Sequence, residues 1–330
     1  MVAAIQPERL LKELHDLWTG LGAEQQGDAA RGVLRACSLT LIALSEGDGP
    51  DPAFSETLAA LMKDHPGRVI AVRAGSGEER RLAARVTAQC WMPFGQRQQV
   101  CCEQVEIDAT RPGLADLPPV IRALTVPDLP VVLWCRDTGL LDACDFPALL
   151  ELAGKIIVNS GGCRDPRWML DQLRAWRGAG RIVADLSWTR LTRWRETLAQ
   201  LFTNPERRAL LPRLERVTVS HYGEQPGVRA LYMLAWLRKT LGDGAEFTLE
   251  SAGAMAPCQR HGEVHSVELS GAGLDIAITQ LEGEAVEVRS GELTTRVLFH
   301  TLNDYELLRE ELSIEGRDAL YEGVLGTASV

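Results

Sequence analysis

The sequence predicts an α/β protein: a mixed, mostly parallel open sheet flanked by helices in three layers, then an α+β C-terminal domain with an antiparallel meander. Two observations support this class. Apolar runs alternate with helical periodicity most clearly over residues 129–202, whereas residues 247–300 alternate with period two and show no helical pattern. The first pattern is typical of parallel sheets covered by helices, and the second of consecutive strands joined by turns.

The first part of the chain predicts a helix followed by a βαβ unit. Leucines at helical spacing predict an amphipathic helix over residues 7–22. The run LRACSLTLIAL predicts a buried strand over residues 34–44, and a short helix at 54–62 and a strand at 67–73 complete the unit. Two strands connected through a helix indicate parallel pairing.

An antiparallel hairpin is predicted next, with strands at residues 83–94 and 98–108 joined by a short polar turn. A helix at 114–124 follows it. Asp165 and Pro166 then mark a typical helix start, because the carboxylate caps the first turn and proline fits the first helical position. The strands and helices after the hairpin alternate, at residues 129–135, 146–152, 155–159, 166–176, 181–186 and 191–202.

The pattern changes near residues 203–212, where Asn204-Pro205 and Pro212 suggest a boundary. We therefore predict an α/β domain of residues 1–205, with the first helix as an N-terminal extension, and an α+β domain of residues 206–330. The second domain is predicted to contain a strand, a helix, a five-run meander and two closing helices, at residues 214–221, 228–241, 247–300, 304–313 and 316–325.

Bulk properties narrow the function classes. The 330 residues are 45% hydrophobic and 24% charged, which is ordinary for a globular protein with a large core. The net charge of −10 argues against general nucleic-acid binding, which needs a basic field. No apolar window is long enough to span a membrane, and the N-terminus lacks the apolar core of a signal peptide. We expect a cytoplasmic protein that binds neither nucleic acid nor membrane.

The eight cysteines predict neither a disulfide framework nor a zinc site. Their spacing is irregular, no C-x-x-C occurs, and adjacent cysteines on a strand point to opposite faces. A redox switch would need a second cysteine at bridging distance. We expect exposed thiols at Cys101, Cys102 and Cys144. Buried small hydrophobic side chains are expected at the cysteines beside apolar runs, Cys37, Cys90, Cys135 and Cys163.

Three common cofactor and nucleophile motifs are absent. There is no G-x-G-x-x-G, no Walker lysine and no G-x-S-x-G. Gly75-Ser76-Gly77 follows a strand but leads into Glu78 and Glu79, which favours a solvated turn over a phosphate loop. The Ser160-Gly161-Gly162 turn precedes a helix, where an anion could bind, but the capping Asp165 competes for that position. We predict no cofactor, no metal and no catalytic residue.

One segment, ADLSWTRLTRWRE at residues 184–196, concentrates tryptophan and arginine. These residue types are enriched in binding hot spots, and arginine binds carboxylates and phosphates bidentately. Core packing with solvated arginines is equally compatible with the pattern. On one continuous helix, Arg190 and Trp194 would be neighbours.

Polar residues at the ends of two predicted strands extend this set, because such positions often lie over a ligand in α/β sheets. Capping and surface hydrogen bonds are the alternative roles. The predicted partner- or anion-binding residues are Asp185, Trp188, Arg190, Arg193, Trp194, Arg195, His221 and Tyr222.

Four segments carry a family resemblance: LPVVLWCRD, KIIVNSGG, ADLSWTRLTRWRETLAQLF and VTVSHYGEQPGVRALYMLAWL. They resemble the glucose-6-phosphate dehydrogenase assembly proteins, the OpcA family, over about residues 67–241 and most densely over 129–241. The resemblance implies a non-catalytic assembly factor or allosteric activator of that NADP-dependent enzyme in the oxidative pentose phosphate pathway. Redox control through cysteines is implied for cyanobacterial members, and no cysteine here is matched to it.

Two other functions stay open at this point. A sugar-phosphate- or nucleotide-binding enzyme or sensor would hold an anion between Arg190, Arg193, His221 and the Gly161-Gly162 turn. A structural protein would form homo-oligomers through the strand edges of the meander.

Overall fold

A computed structural model describes residues 5–23, 33–93, 99–141, 146–253, 262–271 and 273–329. The chain forms two compact units. Unit one comprises Met1–Asn159, Arg181–Val183 and Asp304–Ser313, and unit two comprises Ser160–Gly180, Ala184–Asn303 and Ile314–Val330. The boundary predicted near residues 203–212 therefore falls inside unit two. Asn204 there caps a helix through the Glu206 N–H at 2.8 Å, with Pro205 as its first residue, and is not part of a linker.

The regular elements agree closely with the sequence prediction. As far as residue 158 they are α1 (Pro7–Ala23), β1 (Val33–Arg35), β2 (Leu39–Glu46), α2 (Pro52–Asp64), β3 (Gly67–Gly75), β4 (Leu82–Trp91), β5 (Gln99–Thr110), α3 (Leu117–Leu124), β6 (Val131–Cys135), α4 (Phe146–Leu150) and β7 (Lys155–Val158).

The remaining elements are α5 (Pro166–Gly178), β8 (Ile182–Asp185), α6 (Leu186–Thr189), α7 (Thr192–Leu201), α8 (Pro205–Leu210), β9 (Arg216–His221), α9 (Val228–Leu241), β10 (Glu246–Ser251), β11 (Val264–Gly271), β12 (Leu274–Gln280), β13 (Ala285–Ser290), β14 (Leu293–Leu298), α10 (Asp304–Ser313) and α11 (Ala319–Thr327). The Asp165 cap predicted for α5 is confirmed, since its carboxylate accepts from the Trp168 N–H at 3.0 Å.

The first sheet has the order β1-β5-β3-β2-β6-β7-β8, with β4 antiparallel to β5. The pairs from β1 to β7 are parallel, which confirms the predicted α/β class and the hairpin. The strand predicted at 34–44 is two strands, because β1 pairs with β5 whereas β2 lies between β3 and β6. Both β2 and β3 are buried almost throughout, as expected of central parallel strands covered on both faces.

Two cysteines predicted to be exposed, Cys101 and Cys102, are fully buried. They lie on β5, which pairs with neighbouring strands along both edges, so the prediction of exposed thiols is wrong for both. Cys101 forms a disulfide with Cys90, which lies directly opposite on β4. Burial raises the pKa of the Cys102 thiol to about 11, so this thiol is not reactive at neutral pH. Cys144 lies outside the described residues.

We predict that removing this disulfide with the double substitution Cys90→Ser and Cys101→Ser lowers the free energy of unfolding by about 2–3 kcal/mol. The bond closes a loop across 11 positions of sequence and limits the conformations of the unfolded chain. Urea unfolding of oxidised and reduced protein measures the effect, and Cys37→Ser is the control. A thiol titration of the denatured, unreduced protein that finds all eight cysteines free would contradict the bond.

The second sheet has the order β10-β9-β11-β12-β13-β14. Strand β11 pairs antiparallel with β9, and β11, β12, β13 and β14 pair antiparallel in succession, as the meander prediction required. The strand β10 differs, since it pairs parallel to β9. The reason is the connection: α9 carries the chain from β9 back across the sheet, and a helical crossover produces parallel neighbours. Side chains of α9 such as Leu231 and Met233 are fully buried.

The helix α10 was predicted to close the second domain, but it belongs to unit one. Asp304 at its start accepts from the Nε of Arg136 at 3.1 Å, and the Tyr305 hydroxyl donates to Asp64 at 2.6 Å. Contacts this distant along the chain leave no signal in local periodicity. Within the part of the chain that the structure describes, no helix has both the length and the apolar character required to cross a membrane.

Candidate functional site

The tryptophan- and arginine-rich segment folds as the end of β8, a short helix and a second helix. Asp185 caps α6 by accepting from the Ser187 N–H at 2.9 Å. The helix is then interrupted by a turn at Arg190 and Leu191 before α7 begins. Arg190 and Trp194 are therefore not one turn apart on a continuous helix, because the helix predicted from Leu191 is preceded by a separate turn.

Asp185 is the centre of a buried polar network. It has no solvent exposure and accepts hydrogen bonds from the Ser160 N–H at 3.2 Å and the Tyr232 hydroxyl at 2.9 Å, besides that from Ser187. The Tyr232 hydroxyl also lies 3.1 Å from that of Tyr321. Burial raises the pKa of Asp185, against the opposing effect of these hydrogen bonds. The network connects the turn at Ser160 with α6, α9 and α11 in unit two, and its residues are buried.

Trp188 lies in the same interior, with 2% of its surface exposed. Its indole N–H donates to Asp318 at 3.2 Å, and Asp318 in turn caps α11. The ring meets Tyr232 edge-on at 6.2 Å and Tyr321 at 5.8 Å. The Arg195 guanidinium stacks over the indole at 3.5 Å. Trp188 and Arg195 thus form part of the packing of unit two.

A cavity of about 400 Å³ lies in unit two beside this interior. Four of the eight predicted residues line it: Arg190, Arg193, Trp194 and Tyr222. The others, Asp185, Trp188, Arg195 and His221, are not part of its lining. Their predicted role in binding a partner or an anion stays a prediction. Asp185, Trp188 and His221 are all buried.

The lining contains three arginines that occupy different environments. The Nη1 of Arg190 donates to the Leu302 carbonyl at 2.5 Å. Arg229, only 12% exposed, forms an ion pair with Glu263 at 2.6 Å. Arg193 is 67% exposed and is paired with Glu196 at 3.1 Å on its own helix. The cavity therefore has guanidinium groups both in its wall and near solvent.

Another part of the lining comes from the loops beside β13 and β14 of the second sheet. Glu284 accepts from the Thr301 N–H at 2.6 Å and lies 2.9 Å from Nδ1 of His300. The Thr301 hydrogen bond, followed by His300, lowers the pKa of Glu284, so this carboxylate is ionised at neutral pH. Trp194 packs edge-on against Phe299 with ring centroids 5.4 Å apart, which gives the cavity an aromatic wall.

The sequence analysis did not identify five charged or aromatic residues of the lining: Arg229, Glu263, Glu284, Phe299 and His300. They belong to the start of α9, the approach to β11 and the loops that flank β13 and β14. Phe299 and His300 are the last two residues of the predicted meander, so the strand-end criterion that selected His221 could also have selected them. Among the described residues, no three histidine, cysteine, aspartate or glutamate side chains are grouped as metal ligands would be.

The fold and the cavity define a two-unit α/β protein with an arginine- and aromatic-lined cavity in its second unit. Two family models match the chain, and together they describe a glucose-6-phosphate dehydrogenase subunit. The model of its N-terminal domain matches residues 59–175, and the model of its C-terminal domain matches residues 181–325. The chain belongs to the OpcA family of glucose-6-phosphate dehydrogenase subunits.

Curated relatives carry the name "Putative OxPP cycle protein OpcA". The relative from Nostoc punctiforme is 32% identical over 180 residues, covering 54% of this chain and 38% of the relative. The relative from Synechocystis sp. is 26% identical over 320 residues, covering 84% of this chain and 64% of the relative. The chain thus spans less than two thirds of the length of either relative.

Two oxidoreductases are among the solved structures to which the chain is similar. Biliverdin reductase from Synechocystis sp. PCC 6803 has a TM-score of 0.48 and 10% identity, covering 88% of this chain and 96% of its own. A 3-ketoreductase variant from Actinomadura kijaniata has a TM-score of 0.46 and 12% identity, covering 88% and 94%. Similarity at this level says nothing about the activity of this chain.

Proposed function

We propose that this chain is a non-catalytic assembly factor and allosteric activator of glucose-6-phosphate dehydrogenase, acting by direct contact in the oxidative pentose phosphate pathway. The observation that carries the proposal is the match to both OpcA domains, over residues 59–175 and 181–325. The relatives named for the oxidative pentose phosphate cycle support the same pathway. The absence of a dinucleotide fingerprint from the sequence is in keeping with a protein that leaves the chemistry to its partner.

The coupling free energy that such activation requires is small. An activator must bind the active state of its partner better than the inactive state. A hundredfold change in the dehydrogenase's apparent affinity for substrate requires about 2.7 kcal/mol of coupling. One or two arginine or tryptophan anchors can contribute that much at an interface. Arg193 is the member of the predicted set with a large exposed fraction and is available to such a contact.

We predict that adding this chain to its cognate glucose-6-phosphate dehydrogenase lowers the KM for glucose 6-phosphate or raises kcat, because binding favours the active state. Steady-state kinetics with and without the chain, together with co-elution on a sizing column, measure this effect. The chain alone should form no NADPH. The absence of both a complex and a kinetic change would rule the proposal out.

Linkage gives a second, independent measurement. If the chain raises the enzyme's affinity for glucose 6-phosphate by some factor, glucose 6-phosphate must raise the affinity of the chain for the enzyme by the same factor. Titrating the complex with and without substrate tests this equality. If the chain affects only assembly, the mass of the dehydrogenase, measured by light scattering, should change. The affinity of each active site for substrate should then stay the same.

A further inference from the structure

We infer that the unit-two cavity is a binding site for a small, hydroxylated anion, of the size of a sugar phosphate or a sugar acid. This inference goes beyond the proposed function, since it assigns a ligand to the chain itself. The cavity volume of about 400 Å³ lies at the small end of the usual range for ligand sites, roughly 300–1,000 Å³. A single sugar ring suits this volume better than a dinucleotide does.

The charge of the lining favours an anion. Three arginines against two glutamates, Glu263 and Glu284, give an excess of one positive charge before His300 is counted. The chain as a whole carries −10, so the formal charge of the lining is opposite in sign to the net charge of the protein. A cleft with such a lining concentrates ligands of opposite charge. Guanidinium groups also match the two oxygens of a carboxylate or phosphate bidentately.

The two carboxylates indicate that the ligand also carries hydroxyl groups. Glu263 is held by Arg229, and Glu284 by the Thr301 N–H and His300. An ionised carboxylate only accepts hydrogen bonds, so these side chains suit hydroxyl donors and disfavour a bare anion. The aromatic wall of Trp194 and Phe299 adds an apolar surface whose electron-rich faces suit the C–H groups of a sugar ring.

The isolated chain, without any dehydrogenase, is the sample for the test. Melting temperature is measured against rising glucose 6-phosphate, gluconate, inorganic phosphate and glucose. We expect a saturable increase with glucose 6-phosphate or gluconate that exceeds the increases with phosphate and with neutral glucose, because a ligand stabilises the state that binds it. The larger of the first two responses identifies phosphate or carboxylate as the anionic group.

Two arginine variants localise the effect. Arg193→Gln removes a cavity guanidinium and should weaken binding about tenfold, the loss expected for one charged hydrogen bond. Arg216→Gln is the matched control: Arg216 is 62% exposed, is paired with Glu246 at 3.3 Å in the same unit, and does not line the cavity. Both changes are at the surface, so the fold is retained.

The inference is overturned if none of the four compounds gives a saturable shift, or if the two variants respond alike. A shift with phosphate equal to that with the sugar compounds would also overturn it, by indicating a simple anion site. Because no dehydrogenase is present, each of these results leaves the kinetic test of the proposed function unaffected.

Discussion

Replacing Trp188 with alanine is expected to lower the free energy of unfolding by about 3–5 kcal/mol, the usual cost of removing a large aromatic side chain from a core. Trp188 is 2% exposed and contacts Tyr232, Tyr321 and the guanidinium of Arg195. Alanine removes these contacts and leaves a void that packed surroundings fill only partly. Urea or guanidinium unfolding, followed by circular dichroism, measures the loss.

The substitution Trp188→Phe separates packing from hydrogen bonding. Phenylalanine keeps an aromatic ring in the interior but cannot donate to Asp318, so we expect a smaller loss, with about 1 kcal/mol from the hydrogen bond. Equal stability of Trp188→Ala and the natural protein would show that the indole is not part of the core. If Trp188→Ala is destabilised as expected, a loss of dehydrogenase activation in this variant would be a consequence of unfolding. Arg193 is exposed, so a loss of activation in an Arg193 variant would instead indicate that this surface contacts the partner.

Local sequence was sufficient for most of the fold. The central strands β2 and β3 are apolar on both faces, and the helices between strands show helical periodicity, so both signals lie within short windows. The break between β1 and β2 was missed because the run is continuously apolar and the separation arises from pairing with different strands. The parallel pairing of β10 and the placement of α10 in unit one likewise depend on contacts distant along the chain.

Only four of the eight predicted site residues line the cavity, because the rest of the lining also depends on contacts between distant parts of the chain. Arg190, Arg193 and Trp194 attract attention as a local concentration of unusual residues, and all three line the cavity. Trp188 in the same segment faces the interior, and spacing alone did not distinguish the two orientations because the helix breaks at Arg190. Arg229 and Glu284 come from separate elements that meet only in the folded unit.

Replacing Asp185 with alanine is the second change with a large expected effect. The carboxylate accepts from the backbone N–H groups of Ser160 and Ser187 and from the Tyr232 hydroxyl. Alanine leaves the two buried N–H groups without their acceptor, whereas the Tyr232 hydroxyl keeps Tyr321 as a partner. Each unsatisfied donor costs about 1–3 kcal/mol. We therefore expect Asp185→Ala to lose at least about 2 kcal/mol in urea unfolding, and Asp185→Asn, which keeps one oxygen, to lose less.

The same Asp185→Asn variant also tests the titration of the buried carboxyl. Because burial raises the pKa of Asp185, the folded protein holds this proton more tightly than the unfolded chain does. The protonated carboxyl therefore contributes most stability at low pH, and this contribution is lost as pH rises from the ordinary aspartate pKa of about 3.9 through the raised folded pKa. The stability of the natural protein relative to Asp185→Asn should fall across that window and become constant above it. A difference that does not change with pH, in unfolding curves recorded across the window, would mean that the three hydrogen bonds fully offset the effect of burial on the carboxyl.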